Sequence, residues 1–223
     1  MKIVLGSPLD HCNEWYFESW CKFHSRYCDK LVIFFDNNKQ QPSWHTLAIA
    51  ELFDVSFNYI HEPFYETRVW KKVLEKCLSY EPDWVGLLAV DSIFTKNFFQ
   101  LKDKMFNESV AWYGFPIYHF WESEEYIRVD GVFGSSNGMH MKVFLKSDNK
   151  DINFYKYEDK EMHGNHFPIN IEEKDGKNLD HIKLKHMGYV KKDAWNERCL
   201  ARGISYGDIN QSLGVLKLEK WSE

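Results

Sequence analysis

The order of apolar and amphipathic segments over residues 1–90 is the feature that most constrains the fold. Apolar runs predict strands at 3–5, 31–35, 55–60 and 84–90. Amphipathic helices are predicted between them, at 13–27, 43–53 and 67–80. The first and third have apolar residues at three- and four-residue spacing, and Ser43 is a plausible N-cap of the second. A βαβαβαβ order with apolar strands predicts a parallel sheet that helices cover on both faces.

The second part of the sequence has a different character. Strands are predicted at 110–115, 126–132 and 182–186, a turn-rich stretch at 131–138 and a helix at 194–202. Neither an internal repeat nor a linker interrupts the sequence. We therefore predict a single α/β domain over 1–223. A Rossmann-like, mostly parallel sheet flanked by helices is expected in 1–92, and a less regular half in 93–223.

Polar residues follow three of the predicted parallel strands. They are Asp10 with Asn13 after the first strand, residues 36–38 after the second, and Asp91 with Ser92 after the fourth. Ligands of open α/β sheets bind at the carboxyl ends of the strands. The sequence therefore predicts a binding site at this edge of the sheet.

Composition and missing motifs exclude several classes of function. The net charge of -5 and the dispersed lysines and arginines argue against a nucleic-acid partner. The sequence lacks GxxxxGK[ST], a GxGxxG after the first strand, and GxSxG, which disfavours P-loop, dinucleotide and common hydrolase chemistry. Aromatic residues make up 17% of the chain. Most are expected in the core, and a minority in a groove for a ring-shaped ligand.

Signals for export or membrane insertion are not found in the sequence. The apolar run at the N-terminus is too short for a signal peptide. The longest apolar stretch, 84–90, is much shorter than the roughly 20 residues of a membrane span. The five cysteines are odd in number and have no CxxC spacing, which indicates reduced thiols. We expect a cytoplasmic protein without a transmembrane segment.

Four segments together resemble one known family. They are Asn13-Glu14, residues 34–38 (FFDNN), residues 83–92 (DWVGLLAVDS) with Arg68 before them, and residues 182–189 (IKLKHMGY). In order and spacing they resemble the GT-A glycosyltransferases, in particular the small family-2-like enzymes. The family's DxDE motif aligns with Ala89, Val90, Asp91 and Ser92, so Asp91 is the one acidic residue of that motif in this chain.

The resemblance implies a GT-A-like fold and transfer of a sugar from a nucleotide-diphosphate-sugar donor to a saccharide acceptor. Residues 1–92 would bind the donor and 93–223 the acceptor. It also implies a divalent cation, Mn²⁺ or Mg²⁺, held by Asp91 and His186, and the imidazole favours Mn²⁺. Such a cation stabilises negative charge on the leaving diphosphate. Two other roles stay open, a turn cap for Asp91 and a structural histidine for His186.

Donor contacts are implied for Asn13, Asp36 and Arg68. Asp36 ends the second strand and is placed to accept a hydrogen bond from a base or ribose. Alternatively it forms a turn with the two asparagines that follow it. Arg68 contacts the donor, or it pairs with Glu66 or Asp91.

An inverting transfer needs a general base that accepts the proton of the acceptor hydroxyl. The segment Arg128-Val129-Asp130-Gly131 resembles one that recurs in the family. Asp130 is therefore the candidate base, ahead of Glu124 and Glu125. The other interpretation is a structural pair of Arg128 and Asp130.

Trp121 is the candidate for stacking on the acceptor sugar. The histidine-containing segment 162–168 lacks the ligand set of a zinc site and predicts a loop that closes over the donor. Two alternative functions remain, a non-catalytic sugar- or nucleotide-binding relative and a nucleotidyltransferase. The incomplete acidic motif supports the former. The latter would normally have a basic, glycine-rich loop after the first strand, and residues 6–10 (GSPLD) are a poor match to one. The oligomeric state is not predicted.

Overall fold

The computed structural model describes residues 1–63, 65–99, 109–130, 135–158, 166–191 and 217–222. Four strands form the parallel part of the sheet: β1 (Ile3–Leu9), β2 (Lys30–Asp36), β3 (Ser56–Ile60) and β4 (Trp84–Leu87). They lie in the order β3-β2-β1-β4. Helices α1 (Glu14–His24), α2 (Trp44–Leu52) and α3 (Glu66–Leu78) connect them. The predicted βαβαβαβ order is confirmed.

The helices cover both faces of this sheet. Alternate residues of β1 divide between two cores, because successive side chains of a strand point to opposite faces. Ile3 and Leu5 pack in one core with α1 and α2. Val4 packs in the other core with α3. The predicted helix start at Ser43 is also confirmed, since its side chain accepts a hydrogen bond from the Thr46 amide.

Strand β1 is longer than predicted. The sequence predicts its end at residue 5, before a Gly-Ser-Pro segment that is typical of turns, but the strand continues to Leu9. A Cβ atom on Gly6 would lie 2.4 Å from Val73 Cγ1 and 2.7 Å from Cys77 Sγ, both on α3. The glycine therefore allows close packing of α3 on β1 and does not mark a turn.

The remaining strands extend the sheet beyond β4. They are β5 (Ser92–Phe94), β6 (Trp112–Trp121), β7 (Tyr126–Arg128), β8 (His140–Lys146), β9 (Gly176–Asn178), β10 (Leu184–Tyr189) and β11 (Leu218–Lys220). The main path continues from β4 through β8, β6 and β7 to β11, with antiparallel pairing at each step. A short helix, α4 (Ile169–Glu172), precedes β9.

This half differs from the prediction in several strands, since β5, β8, β9 and β11 were not predicted and β6, β7 and β10 end elsewhere than expected. Strand β8 was missed, because Val143, Phe144 and Leu145 are all fully buried and so lack the polar alternation of a half-buried strand. Strand β6 was expected to end at residue 115 but runs to Trp121. It changes neighbour on the way, since Trp112–Pro116 pairs with β8 and Ile117–Trp121 with β10.

Three sequence predictions lie outside the described residues. They are the helix at 194–202, most of the histidine-containing segment at 162–168, and the part of the turn-rich stretch at 131–134. Within the described parts of the chain, no helix is both long and apolar enough to cross a membrane.

Candidate functional site

Asp91 and His186 come together at the carboxyl end of β4. Asp91 lies in the turn between β4 and β5, and β10 pairs antiparallel with β5 so that His186 is opposite Ser92. The Nδ1 atom of His186 is 3.3 Å from Asp91 Oδ1 and 3.2 Å from Ser92 Oγ. The Met187 amide donates a hydrogen bond of 2.6 Å to the Asp91 carbonyl oxygen. Two residues that are distant in sequence are therefore held as one unit.

Gly188 leaves a space between the two side chains. A Cβ atom at this position would lie 2.6 Å from Asp91 Oδ2 and 3.2 Å from His186 Nε2. These two potential ligand atoms therefore border the same space. Asp91 is only 5% exposed, so its carboxylate is shielded from bulk water.

Asp91 and His186 alone would supply only part of the coordination of a divalent cation. The described residues contain no group of three or more His, Cys, Asp or Glu side chains that could hold a metal ion. Asp91 Oδ2 and His186 Nε2 would supply two ligands. Mg²⁺ and Mn²⁺ commonly take their remaining ligands from phosphate oxygens and water.

His119 borders the same site and was not predicted from the sequence. It lies on β6 directly beside His186 of β10, and the two ring centroids are 5.1 Å apart. Burial, followed by the nearby His186, lowers the pKa of His119 to about 3. Its imidazole is therefore neutral at neutral pH. The pairing of β6 with β10 places His119 beside the site, and no local sequence pattern indicates this position.

His24 connects α1 to the strand that follows Asp91. Its Nε2 atom lies 3.3 Å from the Ser92 carbonyl oxygen, and its Nδ1 atom forms a short hydrogen bond with the Tyr27 hydroxyl. Burial lowers the pKa of His24 to about 3. A neutral, buried histidine thus positions the backbone beside the site.

Asp36 forms a turn with Asn38, which is the alternative role of this residue. Its Oδ1 atom accepts hydrogen bonds from the backbone amide and the side chain of Asn38, at 3.1 and 2.7 Å. The neighbouring Asn37 has a buried Oδ1 atom without a hydrogen-bond partner in the described part of the chain. The carboxyl end of β2 therefore presents polar atoms to a ligand, but the Asp36 carboxylate is partly engaged.

Asn13 and Arg68 lie at the starts of two helices. The Asn13 amide is capped by Asp10, whose Oδ1 accepts a hydrogen bond of 2.9 Å. Arg68 is exposed, and its guanidinium carbon is 4.3 Å from the centre of the Tyr65 ring. Among the described residues it forms an ion pair with neither Glu66 nor Asp91. Its charge is available to an anionic ligand.

Asp130, the candidate base, forms an ion pair with Arg128, as the alternative structural interpretation predicts. Its carboxylate accepts hydrogen bonds from Arg128 at 2.9–3.2 Å and from the Lys217 amide at 2.8 Å. The hydrogen bond from Arg128 lowers the pKa of Asp130 below its usual range. A carboxylate with a lowered pKa is a weaker base, so this geometry favours a structural role.

Trp121 is buried, which differs from the exposed sugar platform that was predicted. Its side chain is 1% exposed. The Tyr189 ring stacks on it at 5.1 Å, and the Arg128 guanidinium carbon lies 4.3 Å from its ring centre. The Trp121 ring packs against Tyr189 and Arg128 inside the protein, because strands β6 and β10 pair beside it.

Comparisons with known proteins show likeness at the level of structure. No protein-family model matches the sequence, and no curated protein matches it. The chain is similar to S. aureus TarS, with 9% identity and a TM-score of 0.57 over 88% of this chain and 38% of TarS. It is also similar to TarS 1-349, with 12% identity and a TM-score of 0.55 over 88% of this chain and 63% of the fragment. The chain thus spans well under two thirds of TarS.

Other solved structures give weaker likeness. One is TarS 1-349 in complex with UDP-GlcNAc, with 14% identity and a TM-score of 0.38 over 54% of this chain and 35% of that one. Another is the glucosyl-3-phosphoglycerate synthase of Mycobacterium tuberculosis in complex with Mn²⁺, UDP and glucosyl-3-phosphoglycerate. It has 11% identity and a TM-score of 0.48 over 99% of this chain and 87% of that one. The likeness to TarS and to TarS 1-349, with TM-scores of 0.57 and 0.55, concerns the fold. With its mixed α/β architecture and parallel central strands, the chain has the GT-A fold.

Proposed function

We propose that this protein is a glycosyltransferase that moves a sugar from a nucleotide-diphosphate-sugar donor to a saccharide acceptor. The observation that carries the proposal is the contact between Asp91 and His186 at the carboxyl end of β4, with both side chains bordering the space above Gly188. In open α/β sheets ligands bind at this edge. TarS, which has the same fold, has been solved as a fragment in complex with UDP-GlcNAc.

Asp91 and His186 would hold a divalent cation, Mn²⁺ or Mg²⁺, through Oδ2 and Nε2. When bound, such a cation neutralises charge on a leaving diphosphate. The Ser92 hydroxyl lies 3.2 Å from His186 Nδ1 and orients the ring so that Nε2 faces the space. A hydrogen bond to the other ring nitrogen commonly fixes a ligating histidine in this way. The neutral His119 adds no positive charge that would repel the cation.

The donor would lie along the carboxyl ends of β1, β2 and β4. We assign Arg68 to the donor's phosphates, because it is exposed and forms no salt bridge with a carboxylate of the described residues. Asn13 and Asp36, at the ends of β1 and β2, are assigned to the nucleoside. Asp130 is engaged by Arg128, which disfavours it as the acceptor base.

A thermal-shift experiment tests the proposal. UDP, GDP, ADP and TDP, and their hexose conjugates, are added to the full chain with and without Mn²⁺. A ligand that binds the native state raises the melting temperature. We expect one nucleotide to stabilise the protein more in the presence of Mn²⁺, and Asp91→Ala to abolish that increment. Asp148→Ala, an exposed carboxylate far from β4 in the sequence, is the matched control and should retain it.

If no nucleotide stabilises the wild type under any condition, the proposal is wrong. The incomplete acidic motif, with Ala89 and Val90 before Asp91, favours a second candidate, a non-catalytic binding protein. Donor turnover separates the two. Nucleotide binding without release of nucleoside diphosphate, in the presence or absence of saccharides, would favour the binding protein.

A further inference from the structure

A second cleft lies between the first turns of α1 and α2. Its volume is about 510 Å³, which is within the range of small-ligand sites. Trp15 and Glu18 of α1 and His45 of α2 line it, together with Gln40 from the loop before α2. Neither Asp91 nor His186 is among its lining residues. The cleft therefore does not contain the Asp91–His186 pair, and it adjoins Asn13 through His11 and Glu14.

Trp15 presents an accessible ring in this cleft. It is 69% exposed, and unlike Trp44, which is 80% exposed, it lines the cleft. Leaving a large aromatic ring in water forgoes the stabilisation of its burial. Binding sites use such rings to contact flat, apolar faces of ligands. The exposed ring in a concave site indicates a ligand surface.

The charges of the cleft disfavour a phosphate-bearing ligand. Glu14 and Glu18 line it, and no lysine or arginine occurs among its described lining residues. Helix N-termini often bind anions. Here the N-terminus of α2 already has an anion, because Glu14 Oε2 accepts hydrogen bonds from the Ser43 amide at 3.0 Å and its hydroxyl at 2.5 Å. The phosphates of a nucleotide sugar would meet two carboxylates here and no lysine or arginine among the described lining residues.

The carboxylates are themselves satisfied, which disfavours a cationic ligand as well. Glu18 pairs with Lys22 at 2.5 Å and with His45 at 3.4 Å. Glu14 is held by Ser43 and by the Thr46 hydroxyl. What remains for a ligand is the Gln40 amide, imidazole nitrogens and spare carboxylate lone pairs, a mixture of donors and acceptors around an aromatic ring. This set matches a neutral ring with several hydroxyl groups.

We propose that the α1–α2 cleft is a saccharide-binding site in which Trp15 stacks on a sugar ring and Gln40 and His45 hydrogen-bond its hydroxyl groups. The site takes a neutral saccharide apart from the place of transfer. It would hold a glycan chain near the sheet edge while the candidate transfer site acts on it. The cleft binds without the Asp91 and His186 chemistry, so this proposal can be tested independently.

Saturation-transfer NMR with neutral trisaccharides tests the proposal. Maltotriose, cellotriose, chitotriose and laminaritriose are the probes, with choline as a cationic probe and UDP as an anionic one. We expect at least one trisaccharide to bind the wild type, and Trp15→Ala and Gln40→Ala each to weaken that binding at least tenfold. Tyr126→Ala is the matched control, because Tyr126 is an exposed aromatic residue, at 38%, and does not line the cleft. It should bind as the wild type does.

Three outcomes would overturn the proposal. They are the absence of binding by every trisaccharide at millimolar concentration, equal binding by Trp15→Ala and wild type, and binding of choline with no saccharide. UDP binding that persists in Trp15→Ala would show that the donor uses another site. Saccharide binding here with no nucleotide-induced stabilisation would contradict the transferase proposal and leave this one intact.

Discussion

At the scale of single residues, the candidate site depends on a glycine that has no chemistry of its own. Asp91 and His186 could be proposed as a pair from the sequence, because they belong to segments that resemble one family. The role of Gly188 could not. Gly188 matters because β10 pairs with β5, and this pairing brings the Gly188 backbone close to the side chains of Asp91 and His186.

Gly188→Ala should close the space between Asp91 and His186. The new methyl group would lie 2.6 Å from Asp91 Oδ2, so the carboxylate must move. We expect Mn²⁺-dependent nucleotide affinity to fall at least tenfold, about 1.4 kcal/mol, as measured by isothermal titration calorimetry. Unliganded stability should change by less than about 3 kcal/mol, as is usual for overpacking. Unchanged affinity would mean that nothing binds in this space.

Asp130→Asn separates the structural and catalytic interpretations of the Arg128–Asp130 pair. Arg128 is fully buried and would lose its charged partner. Breaking a buried pair typically costs about 3–5 kcal/mol. We expect a loss near the lower figure in urea denaturation, since Asp130 is slightly exposed. Asp180→Asn, an exposed carboxylate that contacts His140, should cost less than about 1 kcal/mol. A stable Asp130→Asn protein without transfer activity would instead identify Asp130 as the base.

At the scale of elements, the helices could be predicted from local sequence patterns. The end of β1 could not, because a tertiary contact of Gly6 decides it. Helices α1, α2 and α3 were placed within a few residues of their observed ends, because α1 and α3 each have a continuous apolar face and Ser43 caps α2. The end of β1 was misjudged because Gly6 and Pro8 favour turns locally. The packing of α3 on the sheet outweighs that preference.

Gly6→Ala should destabilise the packing of α3 on β1. Val73 and Cys77 are fully buried, so neither can move aside into solvent. Overpacking of this kind costs about 1–3 kcal/mol, measurable by urea denaturation. Adding Cys77→Ala should recover part of the loss by removing one of the two clashing atoms. If the double variant were as destabilised as the sum of the single ones, the contact would not be the cause.

At the scale of the whole molecule, His24 couples folding to pH. Its pKa is about 3 in the folded protein, against about 6.5 in an unfolded chain. Below pH 6.5 the unfolded state therefore binds a proton that the folded state does not. The stabilising contribution of the neutral imidazole is complete above pH 6.5 and is lost as the pH falls towards 3. The buried His119, whose pKa is also about 3, adds a slope of the same sign. The slope expected from His24 itself is about 1.4 kcal/mol per pH unit.

His24→Phe should remove this slope. The side chain lies against the rings of Trp20, Phe23 and Phe94, so a phenyl ring suits the surroundings. We expect the free energy of unfolding of the variant to fall less steeply than that of the wild type between pH 6.5 and 5, in urea titrations at each pH. His181→Gln, at an exposed histidine, is the control and should keep the wild-type slope. Parallel slopes for wild type and His24→Phe would contradict the prediction.

The sequence by itself determined the parallel half of the sheet and the edge at which a ligand would bind. Those features depend on hydrophobic periodicity, which is local. Only the tertiary structure decided that His186 meets Asp91 over Gly188, that His119 joins them, and that Trp121 is buried under Tyr189 and Arg128. These contacts depend on how β6 and β10 align with their neighbours. Strand alignment is a non-local property, because it is set by the packing of the whole sheet and not by the pattern within any one strand.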